Sequence, residues 1–212
     1  MTVFRLNKKL IFPPVEFSEP DGLLAVGGDL SVERLLLAYS SGIFPWYDEP
    51  PILWWSPDPR FVLFPDELKV SASMKQVLRK KQFRISFNED FAGVIARCGS
   101  IPRGGQTGTW ITAEMQEAYI RLHKAGYAMS VECWLGEQLV GGLYGVKKDH
   151  IFFGESMFAE VSNASKAAFI TFVQTYGHEL KMIDCQVHTL HLASLGATFI
   201  SREEFLEIIG FS

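Results

Sequence analysis

Apolar residues along the C-terminal two thirds of the chain fall into two alternating kinds of block. Short runs rich in Val, Ile, Phe and Leu, near 83–87, 128–135, 138–147, 150–155 and 181–187, have the length and side-chain branching of strands. Stretches near 71–82, 112–125 and 163–178, and a shorter one near 190–195, space their apolar residues by three and four, as a helix with one buried face does. Gly136-Glu137 separates two of the strand-like runs as the turn of a hairpin would. A meander of strands followed by helix, strand and helix predicts an α+β sheet with helices packed on it.

Ahead of Phe64 the pattern changes. Phe12-Pro-Pro-Val15, Glu19-Pro-Asp-Gly22 and Gly27-Gly-Asp-Leu-Ser31 are turn chemistry, and they lead into one helical stretch at Val32–Tyr39, with Ser31 placed as its N-cap and Gly42 as its C-cap. From Ile43 to Pro65 the chain carries six prolines and three of its five tryptophans. Proline fixes φ and lacks an N–H, so this stretch is expected to hold neither a helix nor a central strand. It either wedges two domains together or walls a pocket. The expected division is a small N-terminal domain over residues 1–62 and a larger domain over 63–212.

Two acids stand in runs otherwise apolar enough for burial: Glu155 within Ile151–Phe158, and Asp184 within Met182–His188. A carboxylate taken out of water costs free energy unless it is paired or hydrogen-bonded. Each acid therefore belongs to a structural contact or to a site. The structural alternatives are a buried partner for Lys166 or another cation in the case of Glu155, and a strand-end cap in the case of Asp184. Alternation along 183–187 places Asp184 and Gln186 on one strand face, with Ile183, Cys185 and Val187 on the other.

Composition narrows the classes. With 48% hydrophobic and 21% charged residues the chain is globular, and 17 Phe, 6 Tyr and 5 Trp can line an apolar pocket as well as a core. A net charge of −4 excludes a globally basic nucleic-acid binder, so any RNA contact must be local. Lys75, Arg79, Lys80, Lys81 and Arg84 form the densest basic run, and on charge alone a solvated helix face explains them best. Cys98, Cys133 and Cys185 lack CxxC spacing, which points to free thiols in a reducing compartment and not to a disulfide or zinc framework. His188 and His191 lie close after Cys185, but a Cys–His nucleophile is disfavoured because Cys185 is expected to face the core. No apolar stretch has the length of a signal peptide or membrane span, so a soluble, cytoplasmic protein is expected.

The order of strands and helices resembles the acetyltransferase-like (GNAT) fold, and Leu139-Val-Gly-Gly-Leu-Tyr144 is similar to its central strand. Coenzyme-A-dependent members carry Q/R-x-x-G-x-G/A where the following helix opens, so that backbone N–H groups reach the pyrophosphate. Residues 160–168 hold no glycine, and Ser162 or Asn163 is expected to cap the helix there. An acyl-CoA donor is disfavoured. An acyl group would have to arrive on another carrier.

Phe44-Pro-Trp-Tyr47, Trp54-Trp-Ser-Pro57, Gly108-Thr-Trp-Ile111, Phe153-Gly-Glu-Ser-Met-Phe158, Asn163-Ala-Ser-Lys166, Ile183-Asp-Cys-Gln-Val187 and Ala193-Ser-Leu-Gly-Ala197 occur in one order along the chain. Together, from about Phe12 to Gly210, they closely resemble the leucyl/phenylalanyl-tRNA–protein transferase family. The resemblance implies a small N-terminal domain followed by a GNAT-like, FemABX-type catalytic domain. It also implies transfer of Leu or Phe, less readily Met, from aminoacyl-tRNA to proteins with N-terminal Arg or Lys, marking them for N-end rule degradation. Neither a metal nor an organic cofactor is implied.

On the same basis Asp184, Gln186 and Glu155 are catalytic. Trp46, Trp110, Tyr119, Phe152, Phe172, Tyr176 and Ile183 frame the donor side chain, while Lys75, Arg79, Lys80, Lys81 and Arg84 contact tRNA, which now outranks the solvated face. In one mechanism the family implies, Asp184 polarises Gln186, whose side-chain oxygen accepts or orients the attacking amine. In another, Asp184 acts on the donor and the proton travels through water or a ribose hydroxyl. Two rivals remain: a CoA-dependent N-acetyltransferase, and a non-catalytic RNA- or degron-binding module that would not need both Asp184 and Gln186.

Overall fold

The computed structural model describes residues 3–101 and 110–211. In chain order, β1 (Phe4–Leu6) and β2 (Leu23–Gly27) precede α1 (Val32–Ser40), followed by β3 (Phe44–Pro45), β4 (Leu53–Trp55), β5 (Arg60–Leu63), α2 (Ala72–Arg79), β6 (Arg84–Phe87), α3 (Phe91–Ser100) and α4 (Ala113–Lys124). The meander β7 (Ala128–Leu135), β8 (Gln138–Lys148) and β9 (Ile151–Ala159) leads to α5 (Ala164–Tyr176), β10 (Met182–Gln186), α6 (Leu190–Ala193), β11 (Thr198–Ile200) and α7 (Arg202–Ile209). A four-stranded sheet has the order β1-β2-β4-β3, and a seven-stranded sheet the order β11-β5-β10-β9-β8-β7-β6.

The large sheet is buried on both faces, which is why its strands read as nearly continuous apolar runs. Phe152 and Ile183 face the layer of α5 and α2, while their neighbours Phe153 and Met182 face the layer of α3, α4 and α1. Helix α5 can lie close on β8 because Gly141 has no side chain: a Cβ there would stand 2.6 Å from the Ala164 Cβ. Gly145 similarly leaves room for the Phe152 ring, 2.5 Å from where its Cβ would be.

Where strands part, a site can form. β9 and β10 run parallel and pair through Ile151–Phe153 and Met182–Asp184, after which they separate. Gly154 and residues 156–159 remain paired to β8 alone, so the fork between β9 and β10 is open. This is the architecture expected, with several local differences. The prolines do not keep 43–65 out of the large sheet: Arg60–Leu63 forms β5, an interior strand between β11 and β10. Pro59 and Pro65 flank it and none falls within it, so no ladder N–H is missing. Pro45, by contrast, sits on an edge strand.

β5 straddles residue 62, and α1 shares one buried cluster with α3 and α4. α2 stops at Arg79, and Lys81 (φ +50°) turns the chain into β6. α3 carried no clear helical signal because Gly93 and Gly99 dilute its pattern; Asp90 offsets this by accepting the Gly93 N–H at 2.9 Å. Asn163 occupies the N-cap of α5 with φ +71°, yet its side chain makes no cap hydrogen bond.

Candidate active site

A cavity of about 420 Å³ occupies the fork between β9 and β10. Its floor is the open edge of β9, its apolar wall includes Phe152, Met157, Phe169 and Ile183, and Trp46 and Trp110 belong to its lining. Trp46 is exposed, and its ring packs 5.8 Å from that of Trp55.

Glu155 is buried, and among the described residues no cation pairs with it. Its Oε1 accepts hydrogen bonds from the Tyr39 hydroxyl (2.8 Å) and Gln186 Nε2 (3.0 Å), and its Oε2 accepts from the Tyr119 hydroxyl (2.9 Å). The two tyrosine hydroxyls also touch each other. Around this ring of three groups there are three oxygen–oxygen contacts but only two hydroxyl protons, so a protonated carboxyl completes the set. Burial, assisted by the charge of Asp184, pushes Glu155 up to about 7 despite the hydrogen bonds that favour its ionised form. Burial and the Glu155 charge hold both tyrosines well above their ordinary value.

Asp184 has a different environment. Arg60 Nε donates to its Oδ1 at 2.9 Å and Nη2 to its Oδ2 at 2.7 Å, a two-pronged pair with both partners buried. The guanidinium lies 4.6 Å from the ring centres of both Phe44 and Phe205, and Nη1 donates to the Gly42 carbonyl at 3.3 Å. Asp184 Oδ1 also accepts the Gln186 main-chain N–H at 2.9 Å. The simple alternation expected along 183–187 is broken by a bulge, with Asp184 opposite Val62 and Gln186 opposite Phe61. Gln186 takes φ +61°, a left-handed conformation costing about 1–2 kcal/mol for a residue with a side chain. The Asp184–N–H bond holds that conformation, and the Gln186 carboxamide is delivered to Glu155.

Asp184 thus acts on the backbone of Gln186, whereas the first expected mechanism had it polarise the side chain. Cys185, at the bulge, is buried and also lines the cavity. Burial, then the Asp184 charge, pushes its thiol far up, away from the thiolate a nucleophile needs.

Of the seven residues expected around the donor side chain, Trp46, Trp110, Phe152 and Ile183 line the cavity. Tyr119, Phe172 and Tyr176 do not. Tyr119 instead bonds Glu155; Phe172 backs Phe152 at 4.4 Å, and Tyr176 packs behind Phe172 at 5.7 Å. Gly108 and Thr109 of the Gly108–Ile111 motif lie outside the described residues. Missed in the sequence were Tyr39, Arg60 and Phe169, while His191 was weighed there only as a partner for Cys185. Of the missed three, Arg60 alone left a trace, as the one cation in Arg60-Phe-Val-Leu-Phe64.

Lys75, Arg79, Lys80, Lys81 and Arg84 are all exposed. Lys75 and Arg79 border a second concavity with Gln174, a residue of the same helix α5 whose Ser165 and Phe169 line the first. Gln174 follows Phe169 by five positions on this helix, about 7.5 Å along the axis. Arg84 is already engaged with Glu89 through two bonds of 2.6 and 3.0 Å. No helix among the described residues is long and apolar enough to cross a membrane.

A family model described as leucyl/phenylalanyl-tRNA protein transferase matches residues 62–210, and one for the N-terminal domain of the same proteins matches residues 28–58. Curated relatives named leucyl/phenylalanyl-tRNA–protein transferase include one from Flavobacterium johnsoniae, 56% identical over 98% of this chain and 99% of its own. Another, from Syntrophus aciditrophicus, is 58% identical over 99% of this chain and 88% of its own. Among solved structures, a conserved protein of unknown function from Bacteroides thetaiotaomicron superposes with a TM-score of 0.50 at 11% identity, covering 81% of this chain and 64% of that one, a likeness of fold alone. Matched over nearly its whole length, the chain belongs to the leucyl/phenylalanyl-tRNA–protein transferase family.

Proposed function

We propose that the fork between β9 and β10 carries the transfer of Leu or Phe, and less readily Met, from aminoacyl-tRNA to a protein whose N-terminal residue is Arg or Lys. The observation that carries this reading is one cavity holding both an apolar slot and a buried carboxylate joined to a carboxamide. The slot takes the donor side chain. Gln186 Nε2 is committed to Glu155, which leaves its Oε1 to accept a hydrogen bond from the acceptor amine.

The amine nitrogen attacks the ester carbonyl, the bond from that carbon to the ribose oxygen breaks, and one proton passes from nitrogen to the departing oxygen. Glu155, poised near neutrality, relays that proton. Asp184, engaged by Arg60, fixes Gln186 and takes no proton. No metal or organic cofactor enters this scheme. The product, with Leu or Phe at its N-terminus, becomes a substrate for N-end rule degradation in the cytoplasm. The division between the N-terminal and GNAT-like catalytic domains falls best ahead of Arg60, so that β5 stays whole.

Labelled Phe-tRNA mixed with a protein beginning with Arg should yield covalent transfer, and acetyl-CoA under the same conditions should yield none. Acetylation without transfer would favour an N-acetyltransferase; binding without either product would favour a recognition module. The slot selects by shape, so Val- and Ile-tRNA should be used about 10–200-fold less well than Leu-tRNA in kcat/KM, the range a misplaced methyl group supports.

The exposed cations of α2 and the turn after it take the tRNA backbone. Donor affinity should therefore fall steeply with salt, and changing Lys75 and Arg79 together to Ala should weaken binding and reduce the log–log salt slope by about 2. An unchanged slope in filter binding would remove these residues from the interface. Arg84→Ala should alter the slope less, because Glu89 already offsets its charge.

A further inference from the structure

After β10 the chain follows the cavity wall: Val187, Thr189 and His191 all line it. The Thr189 hydroxyl accepts the Leu192 N–H at 3.2 Å, capping α6 and fixing the turn that carries His191. His191 Nε2 is shielded from solvent and has no hydrogen-bond partner among the described residues. A buried ring nitrogen left unpaired costs free energy, and on the wall of a substrate cavity the missing partner is naturally supplied by substrate. Burial first, then the charge of Lys166, holds this imidazole below its ordinary value, so it is neutral at pH 7.

This inference rests on the aminoacyl-tRNA reading and identifies which part of the donor His191 meets. The acceptor amine is accounted for by Gln186 and Glu155, and the donor side chain by Phe152, Phe169 and Ile183. The positive charge of Lys166 acting on His191 also disfavours a cationic amine there. Next to the ester, the remaining polar and uncharged group is the free vicinal hydroxyl of the terminal ribose. A neutral imidazole nitrogen can donate to it or accept from it. We propose that His191 Nε2 hydrogen-bonds the 2′-hydroxyl of the donor's terminal adenosine and so positions the 3′-ester over the attacking amine. His191 is thereby a positioning residue contributed by the chain that leaves β10.

The test pairs two donors with three proteins. Phenylalanyl esters of adenosine and of 2′-deoxyadenosine are compared in transfer to an Arg-initiated peptide, using wild type, His191→Ala and His191→Gln. Wild type should use the ribose donor about tenfold better in kcat/KM, the worth of one neutral hydrogen bond, mostly through KM. His191→Ala should lose that tenfold on the ribose donor and nothing on the deoxy donor, bringing the ratio to about one. His191→Gln, which keeps a donor and an acceptor, should recover part of it.

Equal losses on both donors would show that His191 only shapes the cavity. A wild-type ratio near one, or a ratio unchanged by His191→Ala, would equally overturn the proposal. If wild type transferred from neither donor nor from Phe-tRNA, the aminoacyl-transfer reading itself would fail, a result distinct from the other three.

Discussion

Glu155→Gln is expected to lower kcat by about 10²–10⁴-fold, the range for loss of a positioned acid–base group, while leaving the protein folded. An amide can reproduce the hydrogen-bond ring around Tyr39 and Tyr119: its N–H₂ donates to Tyr119, Tyr119 donates to Tyr39, and Tyr39 donates to the amide oxygen, which still accepts from Gln186. The proton count is then complete at every pH. What the variant lacks is a group that can take up and release a proton.

In wild type, kcat/KM should rise with pH through an apparent pKa of about 7, as Glu155 ionises. A second limb near 8 belongs to the acceptor α-amine, whose ordinary value is about 7.7–8.0. Only the first limb should vanish in Glu155→Gln. If both persist, the proton travels by another route.

The same substitution has a stability signature of defined sign. A carboxyl whose folded value is raised to about 7 from 4.5 contributes stability below the lower value and loses it as pH climbs through the upper one. Wild type should therefore lose stability between about pH 4.5 and 7 from this group, whereas Glu155→Gln should not. Above pH 7 the variant should be the more stable protein, by an amount on the order of 2–4 kcal/mol, which denaturant melts at pH 5 and pH 8 can measure.

Arg60→Met carries the second large effect. It leaves Asp184 buried without its counter-ion, which costs about 3–5 kcal/mol and should lower Tm by roughly 6–20 °C for a chain of this size. Asp184→Asn should cost a comparable amount, because Arg60 is then the unpaired charge. Activity separates the architectural role from the chemical one. The double variant Arg60→Met with Asp184→Leu removes both charges together, so most of the stability should return. Its kcat should stay low, since the Gln186 N–H has lost its acceptor and nothing holds the left-handed turn that aims the carboxamide at Glu155. Recovery of kcat along with stability would show that Asp184 matters only to folding.

Much of the large sheet was legible because apolar runs of strand length and glycine turns are local properties: β7, β8, the start of β9 and β10 could be placed from their residues alone. Helix α3 was hidden by two glycines that Asp90 offsets, and β5 by flanking prolines that never enter the ladder. Asp184 and Glu155 were visible as acids among apolar neighbours, since the energetic oddity of burying a carboxylate is written in the sequence. Their partners were not. Arg60 lies 124 positions from Asp184, and Tyr39 lies 116 positions from Glu155, separations that no local pattern spans.

The sequence by itself determined that this chain makes a sheet with helices packed on it, that acids enter it at two points, and that its motifs follow one family's order, because periodicity, residue type and order survive in one dimension. Tertiary structure alone decided what each acid can do. Arg60 engages Asp184 and turns it into a clamp on the Gln186 backbone, whereas Glu155 meets, among the described residues, two hydroxyls and an amide, and burial raises it to near neutrality. A charge is stabilised or starved by its three-dimensional neighbours, and strands β5, β9 and β10, distant along the chain, bring those neighbours to one fork.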